Sequence, residues 1–268
     1  MSINTKPIGI FDSGIGGLTV AHAVKKLLPH ENIIYFGDTA RVPYGDKSAE
    51  TIQQYSKEIA KFLLEKNCKM LLIACNSISA AATPSLREFL PAEIPLMCVI
   101  DPVVEHINEK YAEKNVGLIG TKQTVNSKIF AKKIEALNKD INFFALATPL
   151  LVPVIEEGFH HKVLIHEVLE EYLSRPILSH IDCLILGCTH YPLVKNAIDN
   201  FYKGGVDLID SSLITAEKLK SYLVSKHLLN SSQTPGKMTC YLSDLTEASL
   251  KSAEIFFAGD VRCELGQL

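Results

Sequence analysis

Short, near-continuous runs of Val, Ile, Leu and Phe recur along this chain, separated by longer amphipathic stretches, and that alternation limits the possible folds. The runs are IGIF from Ile8, NIIYFG from Asn32, KMLLIA from Lys69, LMCVI from Leu96, VGLIG from Val116, NFFALA from Asn142, CLILG from Cys183 and VDLID from Val206. A strand with one wet face alternates apolar and polar residues. These runs do not, so they are expected to be strands of parallel sheets covered on both faces. Between them, Ser48 to Lys66, Ser85 to Leu90, Thr124 to Leu137 and Val163 to Leu173 place apolar residues at three- and four-residue spacing. Strand, helix and parallel strand in alternation predict a doubly wound α/β architecture.

A repeat lies on top of this pattern. IGIFDSG from Ile8 resembles VGLIGTK from Val116, and LLIACNS from Leu71 resembles CLILGCTH from Cys183. Gly9 and Gly117 are 108 positions apart, and Cys75 and Cys188 are 113 apart. The near-equal offsets predict two pseudo-symmetric doubly wound α/β domains with mainly parallel sheets facing across a cleft. Residues 1–99 with 208–268 are expected to form the first domain and 100–207 the second. In open parallel sheets ligands sit beyond the carboxyl ends of the strands. The matched turns would therefore line one cleft, with a thiol on each side.

Composition narrows the partners. The 268 residues are 47% apolar and 21% charged with a net charge of -3, an ordinary globular balance without the cationic excess of a nucleic-acid or anionic-membrane surface. No apolar run approaches the roughly 18 residues of a spanning helix, and MSINTKPIGIF lacks the features of a signal peptide. A cytoplasmic protein with a small-molecule substrate, and with neither nucleic acid nor membrane as partner, is expected. The seven cysteines are an odd number without a C-x-x-C pair, which argues against a disulfide framework or a zinc site. Cys68, Cys98 and Cys240 read as small buried hydrophobes.

Four motifs invite chemistry. FDSGIGGLT from Phe11 is a glycine-rich turn whose N–H groups would favour an anion. It is neither G-x-G-x-x-G, since Thr19 stands in the third glycine's place, nor a P-loop. Asp38, at the end of the next strand, keeps a dinucleotide reading open as a ribose-binding acid, and a plain tight turn is the simplest alternative. DTARVPYGDKS from Asp38 is a shaped loop carrying Pro43, Tyr44 and Gly45. IACNS from Ile73 and LGCTH from Leu186 each set a thiol between a strand and a helix start, where the helix dipole lowers a thiol's pKa. His190, two residues after Cys188, is placed to exchange protons with it. Two thiols in matched positions suit proton transfer on both faces of one carbon, each serving as base in one direction and acid in the other.

GIFDSGIGGLTV, YFGDTARVPYG, ACNS, GLIGTKQTVNS and LGCTHYPL, in this order and over most of the chain, resemble the glutamate racemases of the cofactor-independent aspartate/glutamate racemase superfamily. The resemblance implies two pseudo-symmetric α/β domains with the active site between them. It implies interconversion of L- and D-glutamate without pyridoxal phosphate or metal, supplying D-glutamate for peptidoglycan, by a protein that forms a homodimer. Cys75 would exchange the α-proton on the D-glutamate side with the help of Asp12, and Cys188 on the L-glutamate side with the help of His190. Asp12, Ser13, Pro43, Tyr44, Gly45, Asn76, Ser77, Thr121, Thr124, Thr189 and His190 would hold the substrate. An auxiliary acid follows VP in the family, which makes Glu156 the candidate ahead of Glu157.

Where the family has ACNTAS this chain has ACNSIS, so Ser77 lacks a methyl group and Ile78 replaces a small residue; activity is expected to survive with a looser pocket. The chain begins just before its first strand, so regulation by a cell-wall nucleotide precursor is not expected. A racemase of aspartate or a related acid remains open, as does an amino-acid-binding protein that closes without chemistry, although binding alone does not require paired thiols.

Overall fold

The structure is a computed structural model that describes residues 2–137 and 140–268. In chain order the strands are β1 (Ile8–Asp12), β2 (Ile33–Gly37), β3 (Met70–Ile73), β4 (Leu96–Cys98), β5 (Asn115–Gly120), β6 (Asn142–Ala147), β7 (Cys183–Gly187), β8 (Asp207–Asp210), β9 (Met238–Leu242) and β10 (Cys263–Leu265). The helices are α1 (Leu18–Leu27), α2 (Ala49–Glu65), α3 (Asn76–Phe89), α4 (Ile100–Lys110), α5 (Lys122–Asn126), α6 (Ile129–Ala136), α7 (Leu151–Glu156), α8 (Val163–Leu173), α9 (Lys195–Tyr202), α10 (Ser211–Ser225) and α11 (Glu247–Phe257).

Among the described residues the strands form two sheets, ordered β10-β9-β2-β1-β3-β4 and β6-β5-β7-β8. Every pairing is parallel. The segments β2-β1-β3-β4 and β6-β5-β7-β8 have the same winding, which is the structural form of the sequence repeat. All eight apolar runs contribute strands. β1, β3 and β7 are buried along their whole length, as continuous apolar character requires when helices cover both faces.

β9 and β10 extend the first sheet beyond β2 and were not among the expected strands. The expected division between 207 and 208 falls inside β8. Leu208, Ile209 and Asp210 pair with Leu184, Ile185 and Leu186 of β7, so the second sheet continues to Asp210. Among the described residues no helix is long and apolar enough to cross a membrane.

Helix starts follow local chemistry. Ser48 caps α2 by accepting from the Thr51 N–H at 3.2 Å, and Asp210 caps α10 by accepting from Ser212 N–H at 2.8 Å. Thr246 and Ser249 cap α11 reciprocally, satisfying N–H groups that have no partner within the helix.

A buried ion pair ties the far edge of the first sheet. Lys69 Nζ donates to Glu31 Oε2 at 2.6 Å, to the Asn4 carbonyl at 2.7 Å and to the Leu228 carbonyl at 2.8 Å, while Glu31 Oε1 accepts from Asn230 N–H at 2.7 Å. Both side chains are within 1% of full burial. The pair thus joins the start of β3 to the turn before β2, the amino-terminal turn and the segment after α10. Removing one partner leaves a buried charge uncompensated. Lys69→Ala is expected to lower unfolding stability by about 3–5 kcal/mol, read as a lower urea midpoint; a loss below about 1 kcal/mol would contradict this role.

Candidate active site

In both sheets the winding reverses beside the first strand: β1 lies between β2 and β3, and β5 between β6 and β7. Loops leaving β1 and β3, and likewise β5 and β7, diverge there, which opens a crevice at their carboxyl ends. A cavity of about 280 Å³ joins the two crevices. Ser13, Pro43, Tyr44, Gly45, Cys75, Asn76 and Ser77 line it from the first sheet, and Thr121, Glu156, Glu157, Cys188, Thr189 and His190 from the second.

On the first side Cys75 follows β3 and caps α3, accepting from the Ile78 N–H at 3.5 Å; its thiol reaches Ser13 Oγ at 3.5 Å. Asp12 stands behind this wall. Its Oδ2 accepts from the Gly17 N–H at 2.8 Å, while its buried Oδ1 has no hydrogen-bond partner among the described residues. The glycine-rich turn is therefore engaged by the chain's own carboxylate. Burial, reinforced by Asp12, pushes the Cys75 thiol well above its ordinary pKa, and the opposing hydrogen bonds from Ser13 and the α3 N-terminus are too weak to reverse this. The pKa lowering expected from a helix start is thus overturned at Cys75.

On the second side Cys188, His190 and Glu156 form a line. Cys188 Sγ lies 3.6 Å from His190 Nδ1, and His190 Nε2 lies 2.8 Å from Glu156 Oε1. Burial would lower the imidazole's pKa, but its hydrogen bonds to Cys188 and Glu156 outweigh that and push it up to about 10. Both bonds favour the charged form of the ring. The Phe256 ring of α11 meets it edge-on, with centroids 4.8 Å apart.

The two sides touch. A Cβ built on Gly16 would lie 2.4 Å from Thr189 Oγ1 and 2.5 Å from His190 Nδ1, so only glycine allows that approach. Thr19 Oγ1 donates to the Thr189 carbonyl at 3.1 Å, and Ser77 Oγ lies 2.9 Å from Thr121 Oγ1. Thr121 in turn reaches Thr124 Oγ1 at 3.1 Å. Asn76 is buried in the cavity wall, and neither end of its amide has a hydrogen-bond partner among the described residues. Tyr44 turns its hydroxyl to Asp38. Asp38 also accepts from Arg41 Nε at 2.6 Å and from Ser243 Oγ at 2.7 Å. With its oxygens committed, Asp38 braces the Tyr44 loop and does not serve as a ribose acid, so the dinucleotide reading fails.

Nearly all the residues singled out from the sequence converge on this cavity, while Asp12 and Thr124 stand one layer behind its surface. Glu156 is the acid bonded to His190, and Glu157 lines the cavity beside it. Thr148, Pro149, Val152, Pro153 and Lys122 also line it and were not singled out. Thr148 follows β6 directly, so the strand-end rule had been available for it; its Oγ1 lies 2.6 Å from the Tyr191 hydroxyl. Lys122 sits at the rim, 3.2 Å from Asp46.

His190 supplies a direct check. Because its folded pKa is raised, its ionisation favours the fold fully below the ordinary His value of about 6.5, and this contribution is lost as pH rises through about 10. Ring NMR is expected to find a midpoint near 10, and Glu156→Gln should shift it downward. A wild-type midpoint near 6.5 would refute the arrangement.

The chain is similar to known proteins in sequence and in fold. A glutamate racemase of Syntrophus aciditrophicus is 43% identical over 239 residues, covering 89% of this chain and 88% of the relative. The crystal structure of glutamate racemase from Francisella tularensis in complex with D-glutamate superposes with a TM-score of 0.92 at 39% identity, covering 98% of each chain. The enzyme from Thermus thermophilus in complex with beta-chloro-D-alanine gives 0.86 at 38%, again over 98% of each. Residues 18–219 match the family described as Asp/Glu/hydantoin racemase. By sequence, fold and shared architecture, the chain belongs to the Asp/Glu/hydantoin racemase family.

Proposed function

We propose that this chain interconverts L- and D-glutamate by passing the α-proton between two thiols on opposite walls of one cavity. The observation that carries this is the convergence of Cys75 and Cys188, from equivalent strand ends of two sheets, on the same cavity. Glutamate as the substrate is supported by the names of relatives about 40% identical to this chain.

In the D-to-L direction Cys75, as thiolate, takes the α-proton from one face and the thiol of Cys188 delivers a proton to the other. The L-to-D direction exchanges the roles. Each group must be both base and acid, which a thiol permits. Asp12, with one oxygen free of protein partners, would accept the substrate ammonium or a proton beside Cys75. His190, held by Glu156, keeps a charged donor against Cys188. Ser13, Asn76, Ser77, Thr121, Thr124 and Thr189, with the N-terminus of α3, would hold the carboxylates and delocalise charge from the α-carbon. Pro43, Tyr44 and Gly45 would close one side. Both proton transfers run through side chains, so neither metal nor pyridoxal phosphate is required. A supply of D-glutamate for peptidoglycan, a cytoplasmic site of action and a homodimer complete the proposal; light scattering on the purified chain tests the last.

Incubation with L- or D-glutamate in deuterated water, with no cofactor added, is expected to give racemisation with α-deuterium incorporation. Cys75→Ala and Cys188→Ala should each reduce turnover by at least about a hundredfold. Racemisation of aspartate but not glutamate would overturn the substrate and leave the mechanism; no α-exchange in any amino acid would overturn both.

Ser77→Thr restores the methyl group beside the Ser77–Thr121 contact. It is expected to lower KM while changing kcat little, the signature of added uniform binding. An unchanged KM would show that the missing methyl is without consequence.

A further inference from the structure

Two thiols away from the cavity are placed for covalent chemistry of their own. β9 and β10 run parallel at the edge of the first sheet, and Cys263 stands opposite Cys240 in their register. Neighbouring strands lie about 4.8 Å apart, inside the roughly 4.4–6.8 Å between Cα atoms that a disulfide spans. Register partners project from the same face of a sheet, and these two Sγ atoms are 2.8 Å apart. Both are free thiols; Cys240 is fully buried, and Cys263 on the outer strand is partly exposed.

We propose that Cys240 and Cys263 are a thiol–disulfide exchange site, with Cys263 the thiol that meets a small-molecule disulfide and Cys240 the thiol that resolves it. Exposure sets the order, since an oxidant reaches Cys263 first. Acidity favours the same order. The hydrogen bond the two sulfurs share lowers the pKa of Cys263, while that bond, with burial added, raises the pKa of Cys240.

The step balances as ordinary exchange. The Cys263 thiolate attacks one sulfur of R–S–S–R, forming a mixed disulfide and releasing RS⁻. Cys240 attacks the Cys263 sulfur as its proton passes to the departing sulfur, forming the Cys240–Cys263 bond and releasing the second group as RSH, while the first RS⁻ takes a proton from solvent. The protein gives up two electrons, and the small disulfide becomes two thiols.

The bond would close a loop around α11, because that helix lies between the two cysteines in the chain. Phe256 on α11 packs against His190. Oxidation would thus fasten both flanks of the helix that backs the second wall of the cavity.

The test treats the native protein with oxidised glutathione, blocks free thiols by alkylation and digests it without reductant for mass spectrometry. A peptide joining Cys240 to Cys263, lost on reduction, is expected. Cys240→Ser should stop at a glutathione adduct on Cys263, and Cys263→Ser should leave Cys240 unmodified. Since serine in the buried position risks unfolding, the wild-type product is decisive on its own. A stable glutathione adduct on wild-type Cys263, or both thiols still free, would overturn the proposal. Amide hydrogen exchange across residues 263–266 is expected to slow in the oxidised form; unchanged exchange would refute the fastening of β10.

Discussion

Parallel pairing is the constraint on which everything else depends. When every strand runs in one direction, each strand-to-helix turn falls at the same edge of its sheet, and the reversal of winding beside β1 and β5 parts the turns there. Asp12, Cys75, Thr121 and Cys188 come from distant parts of the chain, yet each follows or ends one of the four strands at these two reversals. The pairing of Ile8 with both Ile33 and Met70 sets the height of Asp12 relative to Cys75, and the pairing of Val116 with Cys183 does the same for Thr121 and Cys188. A slip of one residue in either register would turn every side chain of the slipped strand to the other face.

The two walls share an architecture but differ electrically. Behind Cys75 is a carboxylate with one oxygen bound to its own loop and the other free of protein partners. Beside Cys188 is an imidazole whose charged form is favoured by the Glu156 carboxylate. Pseudo-symmetry therefore extends to the backbone and the thiols but not to their neighbours. A negative group backs one sulfur and a positive group the other, which suits a reaction that needs one acid and one base at any moment.

Much of this was legible in the sequence because the informative residues lie where periodicity changes. The eight apolar runs are β1 to β8, and the residues that follow β1, β3, β5, β6 and β7 line the cavity. β9 and β10 are harder to see because MTCYL and CEL mix polar with apolar residues; β10 is the edge strand, and β9 lies between it and β2. Cys240, readable alone as a buried hydrophobe, gains its meaning only from the register that sets Cys263 opposite it. Asp38 showed the right spacing for a ribose acid, but spacing does not reveal that Arg41, Tyr44 and Ser243 occupy its oxygens. Thr148 was passed over because no thiol or acid drew notice to the end of β6.

The sign of the Cys75 shift is a matter of magnitudes. A helix N-terminus contributes about 0.3–1 kcal/mol and at most about 2 in partly buried geometry, and one pKa unit corresponds to roughly 1.4 kcal/mol, so the dipole moves a thiol by little more than a unit. Full burial moves an ionisable group by as much as about 3–5 units in the opposite direction, and here Asp12 adds to it. Reading acidity from the turn alone therefore mistakes the smaller effect for the larger. In the proposed reaction an ammonium seated beside Asp12 would offset only the smaller part of that shift; burial, its larger cause, is what the closed site must still overcome before Cys75 can act as a base.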